Sequence, residues 1–518
     1  MIKKSFPWHI LMFPLCPVFF LYVHNNLETS LDSLTKLVIY GLSAILLAFV
    51  FFKLIDIILK DRYKSGLLAS AFFVLLFFFP YSYLLNQPSL VIWAMYLYIA
   101  STSLFCFFSV LILSTKKDLG NVTRYLNFAS MCFLLILMFN FLFSSFKRKD
   151  SDLVLNQASH PMQISGMQNP RNPDIYYIIF DAYARDDMLK EVYQYDNNEL
   201  LSFLKSKGFF IAHKSTANYN YTLLSLASSL NCVYLDDIRR KMGEDSADKR
   251  PLLDMIRQSY VSKFLKSRGY EYIAFASGLQ DTEIRNADRY IETSNPSETL
   301  FEFENVLFNN NLLGALLNRY YKKRELQIHK ERILQTFNNL PLVANNGHPV
   351  FVLVHFMTPH PPFVFSSDPI YSSYIFADAT QLHHMDSKLV TKYREAYREQ
   401  IEALNGHIKR LVDGLLKSDG EKIIVIQSDH GPRSFTKKEE SIGILNAIYL
   451  PDGLEVFQDH PNLTPVNTFR IIFKKYFAQN MNPLDNKTYL IEDTRKVYKW
   501  VRLDAWAPVS PGSSHDQK

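Results

Sequence analysis

The sequence predicts an N-terminal all-α transmembrane bundle of about five helices, followed by an α/β domain with a mostly parallel central sheet. Two observations carry this prediction. The long apolar runs of the 518-residue chain all lie before residue 147, and long apolar runs are typical of membrane-spanning helices. After them, short patterns of buried strands alternate with helical patterns, which indicates an α/β domain. The predicted boundaries are 1–150 for the transmembrane domain, 151–173 for a linker and 174–518 for an extracytoplasmic domain.

The first domain contains five apolar runs, most of them long enough to cross a hydrocarbon layer of about 30 Å as helices. They are residues 8–23, 34–55, 66–86, 90–113 and 125–146. The first run contains Pro14 and Pro17 and has the alternative of being a signal peptide, but it lacks a clear small-residue cleavage site. We therefore expect it to be retained as an anchor.

Basic residues in the short loops predict the orientation, because lysine and arginine resist translocation. They occupy alternate loops, at Lys3, Lys4, Lys60, Arg62, Lys64, Lys116, Lys117 and Arg124. These loops should be cytoplasmic, so an odd number of crossings places the following domain in the periplasm or outside the cell. The basic cluster FKRKD at 146–150 opposes this orientation, but the three ordered loop pairs outweigh it. We expect a multi-pass protein of the cytoplasmic (inner) membrane.

Composition excludes two classes of protein. A formal net charge of +6 is small for this length and does not indicate a surface that binds nucleic acid. Three of the four cysteines lie in the apolar runs and only Cys232 follows them, which excludes a disulfide framework in the second domain.

The second domain begins after a polar, proline-containing segment without periodicity, which we interpret as the linker. Short runs rich in β-branched and aromatic residues then predict buried parallel strands at 174–180, 270–277, 350–356 and 422–428. Helical patterns lie between them, notably one from Asp186 to Gly208 and another from Asp386 through Leu416. In such sheets, ligands bind beyond the carboxyl ends of the strands.

Acids and imidazoles occur where three of these strands end. Asp181 follows the first strand, His355 and His360 end or follow the third, and Asp429 with His430 follows the fourth. Carboxylate oxygens and imidazole nitrogens are the ligands expected of a divalent ion such as zinc or manganese. Single residues have structural alternatives: Asp181 alone suits a turn or a helix cap, and His355 suits a buried core.

Thr222 stands just before a run of small and apolar residues that is compatible with a helix start. A hydroxyl there would meet the positive end of the helix dipole and unpaired N–H groups, which favour bound anions. The alternative is an ordinary threonine N-cap.

The ordered set of Asp181, T-x-x-S-x-x-S from Thr222, PHPPF at 359–363 and SDHG at 428–431 resembles the sulfatase-like branch of the alkaline phosphatase superfamily, over roughly 172–475. This resemblance implies an alkaline-phosphatase/sulfatase-like fold. It further implies one divalent metal ion, Mn²⁺ or Zn²⁺ with Mg²⁺ or Ca²⁺ also possible, held by Asp181, Thr222, Asp429 and His430.

The same resemblance implies roles in the reaction. Thr222 would be the nucleophile as well as a ligand, and His360 would bind substrate or assist the leaving group. The candidate substrate contacts are His355, Arg185, Asn218 and Arg433. His355 has the alternative of serving a second metal, and Arg185 has the alternative of pairing with a neighbouring aspartate.

The residue at position 222 divides the family. True sulfatases carry a Cys or Ser there, modified to formylglycine, within C/S-x-P-S-R, whereas this chain has TLLSL. The threonine is similar to phospho-transferring members, and the overall plan resembles lipoteichoic acid synthases. The acid at the metal site of that group is usually Glu, so Asp181 departs from it and leaves the headgroup of the lipid donor open. Phosphoethanolamine transferases share the plan, but their ectodomains are rich in disulfides.

The resemblance therefore implies an enzyme that moves a phospho-headgroup, phosphoglycerol or phosphoethanolamine, from a phospholipid donor to an envelope glycan or lipid acceptor through a phosphothreonine intermediate. One alternative is an anchored hydrolase of sulfuric or phosphoric esters, because water can replace the acceptor. The other is a non-catalytic envelope scaffold.

Overall fold

The structure is a computed structural model of the chain. It describes residues 5–24, 31–77, 91–155, 172–293, 312–343, 347–368, 387–432, 441–491 and 493–505. The chain divides into two compact units. One comprises residues 1–158 with 299–325, and the other comprises 159–298 with 326–518.

The described part of the first unit contains five helices ahead of the predicted linker. They are α1 (His9–His24), α2 (Leu31–Leu59), α3 (Arg62–Phe77), α4 (Val91–Ser114) and α5 (Gly120–Leu155). Among the described residues, three stretches are long and apolar enough to cross a membrane: Leu37–Leu59, Met95–Ser114 and Gly120–Leu142. Helices α1 and α3 have only 16 residues each. In the described part of the chain, each of the five predicted runs thus overlaps a helix, and three of these helices contain a stretch that meets both criteria.

One predicted boundary differs from the helices, and another lies outside the described residues. The third run was predicted to reach residue 86, and α3 is described as far as Phe77, because residues 78–90 lie outside the described part of the chain. Helix α5 continues to Leu155, five residues past the predicted boundary, and residues 156–171 of the predicted linker are not described.

The second unit is built on a seven-stranded sheet with the strand order β2-β7-β6-β1-β5-β3-β4. The strands of this unit are β1 (Asp174–Phe180), β2 (Phe210–Ile211), β3 (Glu271–Phe275), β4 (Arg289–Ile291), β5 (Val350–Phe356), β6 (Lys422–Ser428), β7 (Asn446–Tyr449), β8 (Tyr489–Ile491) and β9 (Trp500–Arg502). All neighbours in the large sheet pair in parallel except those of β7. Strands β8 and β9 form a separate antiparallel pair. The predicted, mostly parallel sheet is confirmed.

Helices cover both faces of the sheet. Side chains of a strand alternate between its two faces, so one buried strand contributes to the apolar cluster on each side. Ile175, Tyr177 and Ile179 of β1 join one buried apolar cluster, and the residues between them join the other. The helices from residue 186 onward are α6 (Asp186–Tyr193), α7 (Asn198–Ser206), α8 (Thr222–Ser229), α9 (Asp236–Met242), α10 (Arg250–Arg257), α11 (Tyr260–Ser267), α12 (Leu312–Asn339), α13 (Ser387–Lys417), α14 (Glu455–Gln458) and α15 (Pro465–Phe477).

The helical pattern from Asp186 to Gly208 is divided into α6 and α7, where the sequence predicted continuous helix. Gln194 ends α6 in the left-handed conformation, with φ of 53°, and the N–H of the following residue, Tyr195, donates to the carbonyl of Leu189 over 2.9 Å. A non-glycine residue rarely adopts this conformation, so residue type gave no sign of the break.

Candidate active site

Three adjacent strands bring the acids and imidazoles to one edge of the sheet. Strand β1 lies between β5 and β6, and the register places Phe180 opposite both Phe356 and Ser428. Asp181, His355 and Asp429 therefore lie at the same level, where the strands end. All three are buried, and one potential ligand atom of each lies within 4.8 Å of those of the others.

Two imidazoles converge on the two carboxylates. His355 Nε2 lies 3.6 Å from Asp181 Oδ2. On the other side, His430 Nε2 lies 3.6 Å from Asp181 Oδ1 and 3.4 Å from Asp429 Oδ2. We call Asp181, His355, Asp429 and His430 the carboxylate–imidazole cluster.

The outer hydrogen bonds orient both imidazoles toward this cluster. Nδ1 of His430 donates to the carbonyl of Gly431 over 2.7 Å, which turns Nε2 toward the carboxylates. The hydroxyl of Thr282 lies 3.0 Å from Nδ1 of His355. Burial lowers the pKa of His355 to about 4, against a smaller upward effect of Asp429, so its ring is neutral at pH 7.

The donor set fits a divalent metal ion. Among the described residues, Nε2 of His355 and Oδ2 of Asp429 are buried and have no hydrogen-bond partner. Buried polar atoms normally have partners, and unpaired nitrogen and carboxylate donors aimed at one point are typical of a metal site. Burial raises the pKa of Asp429, but the two imidazoles, Thr222 and the N–H of Ala182 hold it below its usual value. The carboxylate is therefore available as a ligand.

Helix α8 places a hydroxyl at the cluster. Thr222 is its first residue, 8% exposed, and Oγ1 lies 3.1 Å from His430 Nε2. One turn further on, the hydroxyl of Ser225 donates to the carbonyl of Asp429 over 2.7 Å, which ties the helix to the end of β6. All eight residues of α8 are buried, so packing fixes the position of its first turn.

His360 reaches the cluster through the main chain. Its N–H donates to the carbonyl of Asp181 over 2.9 Å, and its Nδ1 donates to the carbonyl of Pro361 over 2.6 Å. The residue is half-buried. The main chain of His360 therefore contacts the cluster, and its imidazole is held by the carbonyl of the next residue.

The guanidinium of Arg185, a candidate substrate contact, pairs with Asp187. Nε and Nη2 each donate to that carboxylate over 2.7 Å, and Nη1 donates to the carbonyl of Ser215 over 2.8 Å. The alternative of a pair with a neighbouring aspartate is therefore the arrangement found.

Asn218 is held in contacts between loops. Its amide donates to the carbonyl of Lys487 over 3.0 Å and accepts from the N–H of Val466 over 2.9 Å. These bonds do not bring it to the cluster. Arg433 lies outside the described residues.

Sequence reasoning missed Thr282 and grouped His355 with the substrate contacts. The structure places His355 with the carboxylates and gives it Thr282 as an orienting partner. Thr282 lies in a turn without strand or helix periodicity, so its residue type alone carried no signal. Ser225 was visible only as part of the T-x-x-S-x-x-S motif.

The family model described as sulfatase matches residues 173–464, more than half of the chain, and this range includes the whole cluster and Thr222. The chain belongs to the sulfatase family. It is thus an enzyme of the sulfatase-like kind, a phosphotransferase or a hydrolase of phosphoric or sulfuric esters. Comparison of this sulfatase-family chain with curated proteins gives no match.

Three solved structures illustrate its neighbours. The integral membrane protein lipooligosaccharide phosphoethanolamine transferase A from Neisseria meningitidis is 11% identical with a TM-score of 0.39, over 90% of this chain and 95% of that chain. The C-terminal periplasmic domain of EcEptC from Escherichia coli, in complex with Zn, is 12% identical with a TM-score of 0.41, over 65% and 94%. A 2-O GAG sulfatase, BT1596, is 11% identical with a TM-score of 0.39, over 62% and 77%. The family assignment therefore rests on the family model.

Proposed function

We propose that this protein is a membrane-anchored, metal-dependent phosphotransferase with Thr222 as its nucleophile. One observation carries the proposal: Oγ1 of Thr222 lies 3.1 Å from His430 Nε2, beside two buried carboxylates. Sulfatases that use formylglycine need a Cys or Ser at this position, and a threonine cannot be converted into that aldehyde. A hydroxyl nucleophile suits phosphoryl transfer through a covalent intermediate.

The metal would be held by Asp181, Asp429, His430 and Thr222, with His355 as an additional candidate ligand. Manganese or zinc suits this set of oxygen and nitrogen donors, and magnesium or calcium suits it less because they prefer oxygen. When bound, the ion would lower the pKa of the Thr222 hydroxyl and neutralise charge on the phosphoryl oxygens.

In the first step, Thr222 loses its hydroxyl proton to solvent, and Oγ bonds to the phosphorus of the lipid headgroup while the bond from phosphorus to the diacylglycerol oxygen breaks. His360 donates a proton to that leaving oxygen. N–H groups in the first turn of α8 stabilise the phosphoryl oxygens. In the second step, an acceptor hydroxyl attacks the phosphorus of the phosphothreonine and gives its proton to His360. The bond from phosphorus to Oγ of Thr222 breaks, and Oγ takes a proton from solvent.

The proposed donor is a phospholipid with a phosphoglycerol or phosphoethanolamine headgroup, and the proposed acceptor is an envelope glycan or lipid. The apolar helices support this choice, because an enzyme anchored in a bilayer meets lipid headgroups at its surface. Residues 1–150 would be the anchor in the cytoplasmic membrane and 151–173 the linker. Residues 174–518 would form the catalytic domain on the periplasmic or extracellular side.

Replacement of the nucleophile tests the proposal. Thr222→Ala should reduce headgroup release from phosphatidylglycerol or phosphatidylethanolamine by roughly a thousandfold or more, because no hydroxyl remains to form the intermediate. Thr222→Ser keeps a hydroxyl and should retain part of the turnover. Unfolding temperatures of both variants control for folding. Turnover of Thr222→Ala equal to that of the wild type would remove Thr222 as the nucleophile.

Hydrolysis is the second candidate function, favoured by membership of the sulfatase family itself. The same site gives net hydrolysis when water replaces the acceptor hydroxyl in the second step. Activity on soluble phosphate or sulfate esters that persists after removal of residues 1–150 would favour the hydrolase.

A further inference from the structure

Arg332 of helix α12 is a buried cation for which the described residues supply no counterion. The residue is 8% exposed, and its Nε has no hydrogen-bond partner in the described part of the chain. Within the described residues its guanidinium forms no ion pair. Burying an unpaired charge is unfavourable, because the protein interior replaces hydration poorly. An arginine does not relieve that cost by losing its proton, so it needs an anion.

The backbone at Gly278 is shaped around this guanidinium. Gly278 has φ of 80°, and a Cβ there would stand 1.9 Å from Nη1 and 2.5 Å from Cζ of Arg332. Only a residue without a side chain leaves this space to the guanidinium. Gly278 follows β3 by three residues, so this contact lies at the carboxyl edge of the sheet.

The acidic side chains near Arg332 have other partners. Glu283 accepts from the N–H of Gly278 over 2.6 Å and from the hydroxyl of Tyr290. Glu292 lies 3.7 Å from Arg285. Burial lowers the pKa of Arg332, and the attraction of Glu283, Tyr290 and Glu292 does not reverse that effect. The neighbouring carboxylates therefore attract Arg332 from a distance but form their direct contacts with other groups.

Two connections join this position to the carboxylate–imidazole cluster. Thr282, which contacts His355, lies 2.9 Å from the hydroxyl of Ser277, the residue before Gly278. On the other side, His329 lies one helical turn before Arg332 and hydrogen-bonds the backbone of Met357, directly after β5. Arg332 thus lies at the same end of the sheet as the cluster, beyond β3 and β5.

We propose that Arg332 binds an acidic group of the substrate, a phosphate, sulfate or carboxylate, separate from the group that reacts at Thr222. A guanidinium suits such groups because its two parallel N–H donors match a pair of anionic oxygens. The substrate is then a molecule with a second negative charge. Assigning this anion to the substrate rests on the proposed function, whereas anion binding at Arg332 does not.

Thermal unfolding of the full chain in detergent tests anion binding without turnover. A chelator removes metal, so that added phosphate has no ion in the cluster to bind. Inorganic phosphate, and sulfate in a separate titration, should raise Tm of the wild type. Arg332→Gln should lose this rise, whereas Lys330→Gln, which removes an exposed charge from the same helix, should keep it. No rise in the wild type, or an equal rise in Arg332→Gln, would overturn the site.

A second variant keeps the test valid if Arg332→Gln does not fold. Arg332→Lys retains the positive charge but not the paired donors, so it should show a smaller phosphate-induced rise in Tm than the wild type. A full rise in Arg332→Lys would contradict binding through the guanidinium.

Kinetics distinguish a substrate group from a free anion. KM for either the lipid donor or the acceptor should rise about tenfold to a hundredfold in Arg332→Gln, with a smaller change in kcat, since charged hydrogen bonds of this kind are of that strength. Loss of the phosphate effect with both KM values unchanged would show that the anion is free and overturn the substrate assignment. An inactive wild type would defeat the proposed function and leave the phosphate result standing.

Discussion

Asp429 combines two properties that rarely occur together in one side chain. It is 2% exposed, and its Oδ2 lacks a hydrogen-bond partner among the described residues. Burial raises the pKa of its carboxyl, but the surrounding groups, His430, His355, Thr222 and the N–H of Ala182, hold that pKa below its usual value. A metal ion would satisfy the buried charge, which explains why the fold tolerates it.

Removing that charge should weaken metal binding. Asp429→Asn keeps the shape of the side chain but loses the anionic oxygen, so we expect affinity for manganese or zinc to fall roughly tenfold or more. Titration calorimetry of the full chain measures the change. Asp187→Asn is the matched control, because Asp187 pairs with Arg185 outside the cluster. Equal affinities in the two variants would exclude Asp429 as a ligand.

The sequence predicted which side chains lie close together wherever they follow a parallel strand, because the carboxyl ends of such strands meet at one edge of the sheet. Asp181, Asp429 and His430 follow strands that proved adjacent, so the sequence rule for parallel sheets was sufficient. Contacts between loops follow no such rule. Thr282 meets His355 across 73 residues of chain, and Asn218 is held by partners more than 240 residues away.

At the scale of elements, hydrophobic runs predicted the central strands and missed the short ones. Strands β1, β5 and β6 have seven residues each and are buried throughout, so their pattern stands out. Strands β2 and β4 have two and three residues, too few for any pattern to show. Their pairing depends on the strands beside them rather than on their own sequence.

The junction between α6 and α7 gives a test at this scale. Gln194 is exposed and adopts φ of 53°, which costs a residue with a side chain about 1 kcal/mol. Gln194→Gly should therefore raise the free energy of unfolding by roughly 0.5–1 kcal/mol, and Gln194→Ala should leave it nearly unchanged. Denaturant titration of both variants provides the comparison. A loss of stability in Gln194→Gly alone would contradict the left-handed cap.

For the whole molecule, composition separated the apolar first part from the α/β part. The sequence predicted five crossings, and among the described residues three stretches are long and apolar enough to span a bilayer. Loop charges, rather than helix length, carried the prediction of orientation.

Labelling of single cysteines tests that orientation. Asp419 and Lys117 are both exposed, the first after α13 and the second between α4 and α5. In intact spheroplasts, a membrane-impermeant maleimide should label Asp419→Cys, whereas Lys117→Cys should react only after permeabilisation. Cys16 and Cys232 are buried, whereas Cys106 is exposed and Cys132 is half-buried, so both variants also carry Cys106→Ser and Cys132→Ser to remove background labelling. The reverse labelling pattern would place the catalytic domain in the cytoplasm.

The covalent intermediate tests the central claim most directly. The measurement is the intact mass of the purified full chain with manganese or zinc, after incubation with phosphatidylglycerol or with phosphatidylethanolamine. We expect a mass increase that maps to Thr222, is absent from Thr222→Ala and identifies the headgroup by its size. No adduct with either lipid, from protein that binds metal and turns over a soluble ester, would contradict the phosphotransferase and establish a hydrolase instead.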